Sequence, residues 1–242
     1  MRGHDGAAPL PWVSWGTGLL AAYALKLHYS RAAAEDLGWI LVPTARAVGW
    51  LRGETLTLAS GSGWMAADGS WVIAPACAGV NFLILVATLA VLGFVHRLRS
   101  PWQRLAWWLG AFAGAYLLTV AVNTLRILAA VELYRLDGGY LSPEQAHRLL
   151  GTVIYLGGLW AVYGLLDRLT GSRRISLAAA WLVPGLFLGM TLGVPLLTGN
   201  WREAGGLYRE HAMMVLLVTL ITFVTVWAAR RVARRVAARR SA

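Results

Sequence analysis

Six apolar stretches, each about as long as a membrane-spanning helix, dominate this sequence. They lie at 12–29, 78–95, 105–125, 147–166, 177–197 and 211–229. A helix rises about 1.5 Å per residue, so roughly 20 apolar residues cross a hydrocarbon core of about 30 Å. The pattern predicts an all-α integral membrane protein with about six transmembrane helices. We find no internal repeat and no low-complexity linker, and therefore expect one multi-spanning domain over residues 1–242.

The composition argues against a soluble protein and against a disordered one. Hydrophobic residues make up 58% of the chain and charged residues only 14%, whereas soluble domains carry about 25% charged residues. The single cysteine, Cys77, excludes an intrachain disulfide and a metal site built from several cysteines.

Arginines in the short loops predict the orientation in the membrane. The loops 96–104 and 167–174 hold three Arg each, with no acid in the first and one in the second, and the tail 230–242 holds six Arg and no acid. Two other segments are balanced in charge. The segment 30–76 has three basic and four acidic residues, and 198–211 has two basic and two acidic residues. Because loops rich in Lys and Arg stay in the cytoplasm, we expect both termini there. The net charge of +11 then reflects topology and not nucleic-acid binding.

The first apolar stretch has two interpretations. Arg2, the apolar run and the small residues 32–34 resemble a secretory signal peptide with its cleavage site. Lys26 and His28 interrupt the apolar run, which is also long for a signal peptide, and this favours a retained helix. Under either interpretation, 30–76 lies outside the cytoplasm.

The long outer segment contains two predicted elements. The apolar piece 37–51 is too short to span and is interrupted by Pro43 and Arg46, which is typical of an interfacial or partly buried helix. The stretch 54–76 alternates polar and apolar residues around Gly61-Ser62-Gly63 and Asp68-Gly69. This pattern predicts a small β-hairpin at the outer surface. Trp64 and Trp71 are expected at the interface.

Three chemically different polar residues fall at the same predicted depth. Cys77 begins the second span, Arg126 comes 22 residues after Arg104 at the outer end of the third, and His147 opens the fourth. Polar groups in the apolar slab are costly and often functional. Spans that follow each other along the chain tend to be neighbours. We therefore expect a thiol, a guanidinium and an imidazole to meet at the outer membrane surface.

These three groups suit acyl transfer. A thiolate at a helix N-terminus is a nucleophile, a guanidinium stabilises it or an oxyanion, and a histidine carries the proton. Each residue also has an ordinary interpretation: a small buried thiol, an arginine that snorkels to the interface, and a surface histidine. His28 and His211, on the same predicted side, are alternatives to His147.

Two asparagines accompany the candidate site. Asn81 follows Cys77 by four residues and Asn123 precedes Arg126 by three, so each shares a helix face with its neighbour. They either support the catalytic residues or hold helices together as polar contacts. For Ser142-Pro143-Glu144-Gln145, before His147, we favour a helix N-cap over a role in orienting the histidine.

Around these residues the sequence resembles the exosortase/archaeosortase family of multi-spanning cysteine transpeptidases. The family pattern is a Cys before Ala or Ser and then Gly, an Arg three residues after Asn, and a later His that is often followed by Gly. Here the pattern reads Ala76-Cys77-Ala78-Gly79, Asn123-Thr124-Leu125-Arg126 and His147-Arg148-Leu149-Leu150-Gly151. The resemblance covers about 75–166. Ala78, where many members have Ser, and the compact length indicate a subtype similar to exosortase K.

The resemblance implies a membrane protease and transpeptidase. Its substrates would be exported proteins that end in a short motif, an apolar helix and a basic tail. Cleavage would leave the product as a thioester on Cys77, for transfer to an amine or another lipid or cell-envelope acceptor. The implied catalytic residues are Cys77, Arg126 and His147, the implied location is the bacterial plasma (inner) membrane with the active site outside, and no metal or organic cofactor is implied.

Two other function classes remain open from the residues alone. One is a non-enzymatic transporter or assembly subunit with a structural Cys77, for which Pro184-Gly185 and Pro195 in the fifth span are a weak indication of an interrupted helix. The other is a lipid-modifying transferase that uses His147 and Arg126 without the thiol.

The predicted orientation can be tested by labelling from outside the cell. We expect cysteines introduced singly into 96–104 and 167–174 of a chain lacking Cys77 to resist membrane-impermeant thiol reagents in intact cells. Cysteines in 198–210 should react, because that segment is balanced in charge. Labelling of 96–104 from outside would reverse the orientation and move the candidate site to the cytoplasm.

Overall fold

The computed structural model describes residues 12–135, 142–170 and 177–240, and that part of the chain is mostly helical. Its helices are α1 Trp12–Arg31, α2 Gly38–Arg52, α3 Val80–Phe94, α4 Pro101–Arg135, α5 Pro143–Leu169, α6 Leu177–Leu188, α7 Val194–Thr198 and α8 Asn200–Arg240. Three short strands, β1 Leu56–Ala59, β2 Gly63–Ala66 and β3 Val72–Ile73, form an antiparallel sheet. The predicted fold class, an all-α membrane protein with a small β segment before the second span, is confirmed.

Among the described residues, five helical segments are long and apolar enough to cross a membrane. They are Pro75–Arg97, Pro101–Tyr134, Glu144–Leu169, Trp181–Thr198 and Gly205–Ala229, and they coincide with the second to sixth predicted spans.

The first predicted span, 12–29, also folds as a helix, α1, which is 20 residues long. It is not among the five because polar residues, Lys26 and His28 among them, lower its hydropathy. Its length still matches a bilayer core of about 30 Å. That α1 crosses the membrane therefore stays a prediction.

The helix α3 is the centre of the bundle. It packs against α1, α4, α5 and α6, and most of its side chains, from Val80 to Phe94, are buried. In contrast, only 11% of the apolar window in α4 and 17% of that in α8 are buried, and large apolar side chains such as Leu117 and Leu220 are exposed. The segment that follows Cys77 is thus enclosed by protein, whereas the outer helices present the surface expected to face lipid.

The fifth predicted span is interrupted, as its prolines and glycines suggested. The helix α6 contains Pro184 and passes into a π-helical segment, Gly189–Gly193, before α7. The helix α8 is kinked at Gly205, before the last predicted span, because the backbone angles there are non-helical. The side chains of 177–180 and most of those after 230 lie outside the described part of the structure, as does much of the predicted loop 167–174.

A polar contact closes the end of the bundle opposite His147. Asp167, which is buried, accepts from the guanidinium of Arg97 at 3.3 Å, and Arg97 also donates to the Thr170 hydroxyl at 2.6 Å. Asp167 lies 20 residues after His147 on α5, or about 30 Å along the helix. His147 and this ion pair therefore mark the two ends of one membrane-length helix.

The segment 30–76 contains the predicted helix and more strand pairing than predicted. The helix α2 buries one face, which includes Ile40, Leu41 and Val48, in agreement with the partly buried helix expected over 37–51. The predicted single hairpin is instead two consecutive hairpins: β1 pairs with β2, and β2 pairs with β3. Each of the two glycine-containing turns closes one of them.

An ion-pair cluster connects the end of α2 and the start of the sheet region to α4. The guanidinium of Arg52, at the end of α2, contacts Glu54 at 2.9 Å and Glu132 of α4 at 2.7 Å. The same guanidinium lies 5.7 Å from the ring centre of Trp71. These contacts connect α2, the sheet region and the end of α4.

The carboxylate of Glu35 holds the turn between β1 and β2. Its Oε1 accepts from the Gly61 N–H at 3.1 Å and from the Ser60 hydroxyl at 3.3 Å. Hydrogen bonds from the backbone N–H groups of Glu35 itself and of Gly61, and then from Ser60, lower the pKa of this carboxyl below its ordinary value of 4.5. Such bonds favour the charged form.

We expect the first turn of the sheet to loosen in acid. Because the pKa of Glu35 is lowered in the folded state, its stabilisation is present above pH 4.5 and is lost as the pH falls through the lowered value. Hydrogen exchange of the Gly61 amide, compared between the wild type and Glu35→Gln at each pH, measures this effect. The two proteins should differ at pH 7 and converge in acid; a difference that does not depend on pH would contradict the assignment.

Candidate active site

Cys77 lies in a turn that joins the sheet to the central helix. A short 3-10 helix, Pro75–Cys77, follows β3, and its last N–H donates to the carbonyl of Ala74 at 2.8 Å. The helix α3 begins three residues later, at Val80. The free thiol is half-buried. It therefore precedes the N-terminus of α3, as the sequence predicted for the start of the second span.

Gly79 allows this turn to sit against α4. Its φ is +77°, in the left-handed region that favours glycine. A Cβ at this position would lie 3.0 Å from Cγ of Asn123 and 3.0 Å from Cγ2 of Thr119. Two physical reasons therefore favour glycine at position 79: its backbone angle and the close approach of α4.

Asn123 connects α4 to the turn that carries the thiol. It is fully buried, and its Nδ2 donates to the Cys77 carbonyl at 2.6 Å. Its Oδ1 accepts from Nη1 of Arg126 at 3.3 Å and from the Tyr155 hydroxyl at 2.8 Å. Both ends of the amide are used, so this side chain fixes the Cys77 backbone relative to Arg126.

The guanidinium of Arg126 lies between the thiol and the imidazole. Its Nη2 is 3.6 Å from Sγ of Cys77 and 2.9 Å from Nε2 of His147. Its Nη1 donates to the Tyr155 hydroxyl at 2.6 Å. Arg126 is only 6% exposed. The side chain points into the bundle, which excludes the alternative that it snorkels to the membrane surface.

His147 reaches this group from the first turns of α5. Arginine has no acceptor, so Nε2 of His147 must accept from Arg126, and Nδ1 then carries the proton. Nδ1 is buried, with no hydrogen-bond partner among the described residues. The Tyr134 ring stacks on the imidazole at 6.3 Å between centroids. The structure therefore places a neutral histidine beside the cation.

The start of α5 is set by the predicted N-cap. The Ser142 side chain accepts from the Gln145 N–H, Gln145 accepts in return from the Ser142 N–H, and Pro143 occupies the first helical turn. This arrangement confirms the capping interpretation of the sequence 142–145.

The alternative histidines take other positions. His28 is exposed on α1, and His211 lines a groove of about 280 Å³ between α5 and α8, beside Arg148 and Met214. The histidine that contacts Arg126 is His147.

Asn81, the other predicted supporting residue, has a different partner. Its Oδ1 accepts from Nζ of Lys26 at 2.8 Å. One turn further along α1, the Tyr29 hydroxyl donates to the carbonyl of Ala76 at 3.3 Å. Asn81 thus links α1 to α3, while Tyr29 contacts the residue before the thiol.

Sequence reasoning missed Tyr155, Lys26 and Tyr29. A signal for Tyr155 was present, because His147, Gly151 and Tyr155 recur every four residues and so share one face of α5. For Lys26 the signal is a charge within an apolar helix. We see no signal that distinguishes Tyr29 from an interfacial tyrosine.

No metal-binding cluster is present in the part of the chain that the structure describes. There, no group of three or more His, Cys, Asp or Glu side chains is placed to hold a metal ion. The functional groups assembled around Cys77 are a thiol, a guanidinium, an imidazole, a phenol and an amide.

Substitution of Gly79 should cost more than substitution of a matched turn glycine. Gly69 has a similar φ, +72°, but a Cβ there would meet nothing within 4 Å. Gly69→Ala should lower the free energy of unfolding by about 1–2 kcal/mol, the cost of a left-handed alanine. Gly79→Ala should add roughly 1 kcal/mol or more for the contact with Asn123 and Thr119. Equal losses in denaturant unfolding of the purified protein would contradict the proposed fit.

Comparison with known proteins identifies the family. The model of the transmembrane exosortase family matches residues 7–164, well over half of the chain and the part that contains Cys77, Arg126 and His147. No curated protein and no solved structure matches the chain. The match does not extend to a subtype, so the similarity to exosortase K stays a prediction. The chain belongs to the transmembrane exosortase family.

Proposed function

We propose that this chain is a membrane cysteine transpeptidase that cleaves C-terminal sorting signals through a thioester on Cys77. Membership of the exosortase family suggests a membrane transpeptidase in protein sorting, and the family generally acts on exported proteins that carry such signals. The observation that carries the finer proposal is the position of Arg126, whose Nη2 contacts both the only thiol of the chain and an imidazole.

The guanidinium favours the reactive form of the thiol. A cation that donates a hydrogen bond to sulfur stabilises the thiolate, which is the nucleophile. Nε2 of His147 accepts a hydrogen bond and so is unprotonated, which makes it the site for the thiol proton. In the structure, Nη2 of Arg126 already donates a hydrogen bond to this nitrogen at 2.9 Å. Transfer of the proton therefore requires the imidazole to turn away from Nη2, which keeps its contact with the sulfur.

Acylation then proceeds in two steps. The Cys77 sulfur adds to the carbonyl carbon of the scissile peptide bond, and the N–H groups of Arg126 stabilise the oxyanion. The intermediate collapses with loss of the C–N bond, and the leaving amine takes the proton from His147. The products are a thioester on Cys77, a released C-terminal tail and a neutral histidine.

Transfer reverses the roles. An acceptor amine or hydroxyl attacks the thioester carbon and gives its proton to Nε2 of His147. The C–S bond breaks, and the proton returns to the Cys77 sulfur. The acceptor is an amine or a lipid or cell-envelope component, and no cofactor enters either half of the reaction.

The proposed location follows from the charge of the loops. Arg97 and Asp167 mark the end of the bundle opposite His147, and the loops at that end are rich in Arg. By the positive-inside rule that end faces the cytoplasm. The candidate site then lies at the outer boundary of the bacterial plasma membrane, where exported substrates arrive, and both termini lie inside.

The catalytic roles are tested by processing of a tailed substrate. We expect Cys77→Ala and His147→Ala to abolish cleavage and Arg126→Lys to reduce it about 10²–10³-fold, because lysine lacks the planar set of donors. The double variant Cys77→Ala/His147→Ala should be no worse than either single variant, since grouped residues are not additive. The ratio of unprocessed to processed substrate on a gel, at matched enzyme level, is the measurement.

Two matched control variants change residues near the site to which the proposed mechanism gives no role. His211→Ala removes a second half-buried histidine, and Arg148→Lys changes the residue next to His147. Both should retain processing. Wild-type processing by Cys77→Ala would reject the cysteine-transpeptidase proposal and leave the transferase and transport functions. Loss of processing in His211→Ala, together with normal processing in His147→Ala, would assign the role of proton carrier to His211 instead of His147.

A further inference from the structure

The hydroxyl of Tyr155 holds one end of the Arg126 guanidinium. It accepts from Nη1 of Arg126 at 2.6 Å and donates to Oδ1 of Asn123 at 2.8 Å. Asn123 in turn donates to the Cys77 carbonyl at 2.6 Å. The phenol is therefore one member of a hydrogen-bonded chain that leads from the cation back to the backbone of the thiol.

The two terminal nitrogens of Arg126 have separate tasks. Nη1 contacts Tyr155 and Asn123, which belong to the scaffold, whereas Nη2 contacts Cys77 and His147, which belong to the reaction. Because a guanidinium is planar and rigid, fixing Nη1 also fixes the direction of Nη2. Tyr155 provides the shorter of the two Nη1 contacts, 2.6 Å against 3.3 Å to Asn123.

Packing fixes the phenol ring itself. The ring stacks on Phe82 of α3, with centroids 4.8 Å apart and an interplanar angle of 18°. Phe82 is fully buried, and a Cβ at Gly158 of α5 would lie 3.0 Å from its Cζ. The Arg126 guanidinium carbon lies 5.2 Å from the centre of the Tyr155 ring. The position of the hydroxyl is thus determined by the contact between α3 and α5.

Removal of this hydroxyl would change the direction of Arg126 more than it would change the fold. Tyr155→Phe keeps the ring, its stacking on Phe82 and the cation–π contact. It leaves Nη1 with only the 3.3 Å contact to Asn123 among its bonds in the described structure. A buried donor that loses its acceptor moves to find another, and the acceptors nearby are those that Nη2 uses.

We propose that Tyr155 is a positioning residue that aims Nη2 of Arg126 at the Cys77 sulfur. The proposal rests on the function proposed above. It assigns to Tyr155 no contact with substrate and no proton transfer. Its effect on the reaction passes through Arg126.

The first experiment separates positioning from substrate binding and from stability. Tyr155→Phe should lower kcat for tailed-substrate processing about tenfold, the worth of one charge-assisted hydrogen bond, and leave KM and Tm near the wild-type values. Tyr163→Phe is the matched control, because Tyr163 is a buried tyrosine on the same helix two turns further on. It should leave kcat unchanged. In an Arg126→Gln background, Tyr155→Phe should have no further effect.

The second experiment reads the electrostatics at the sulfur without any substrate. Cys77 is the only cysteine of the chain, so thiol reagents report on it alone. We measure the ratio of modification rates for an anionic and a cationic methanethiosulfonate of similar size, which cancels changes in exposure. Arg126→Gln and Tyr155→Phe should both lower this ratio, about tenfold and severalfold respectively, and Tyr163→Phe should not.

The outcomes distinguish this inference from the proposed function. A wild-type reagent ratio and kcat in Tyr155→Phe would overturn the positioning role while Cys77→Ala still abolished processing. An equal loss in Tyr163→Phe would overturn it too, because the effect would be one of general packing. If Cys77→Ala processed normally, the function would fail, and the reagent ratio alone would decide whether Tyr155 directs Arg126.

Discussion

A buried arginine organises the end of the bundle that carries Cys77. A guanidinium carries five N–H donors and keeps its charge, and in an apolar slab each donor needs an acceptor from the protein. Arg126 finds acceptors on three sides: Cys77 from the turn before α3, Asn123 from its own helix, and Tyr155 and His147 from α5. These contacts connect the turn before α3 with α4 and α5, while the buried Nε of Arg126 has no hydrogen-bond partner among the described residues.

The depth of the candidate-site residues along their helices could be predicted from the sequence. The direction in which each side chain points could be predicted only in part. The starts of the second and fourth apolar stretches, and the 22 residues between Arg104 and Arg126, predict one depth for Cys77, Arg126 and His147, because helix rise is constant. Which face of each helix points inwards depends on the packing of all neighbours. Tyr155 escaped prediction for that reason, since an aromatic residue in a span is usually apolar packing or an interface anchor.

The two asparagines show how far local spacing carries. Both were predicted as supporting residues because they share a helix face with a candidate residue. Asn123 contacts Arg126, since helical side chains at i and i+3 lie one above the other, while its contact with the Cys77 carbonyl comes from the packing of α4 against the turn before α3. Asn81 instead accepts from Lys26, a partner 55 residues away that the local pattern cannot reveal. The sheet has a second hairpin that the sequence did not predict, for a similar reason. Whether β3 forms a strand depends on the presence of β2 as a partner and not on the sequence of β3 alone.

The enclosure of α3 has a consequence for how the protein assembles. Among the described spans, the segment Pro75–Arg97 that contains α3 has the highest mean hydropathy. It is well suited to enter the bilayer as an independent helix, and it then exchanges lipid neighbours for protein ones. Lipid tails are as apolar as leucine, so this exchange gains little from the hydrophobic effect and depends on close fit and on interhelical hydrogen bonds. Gly158 against Phe82 supplies such a fit. The hydrophobicity of the helix that follows the thiol thus favours its insertion, whereas close side-chain packing holds it in the bundle.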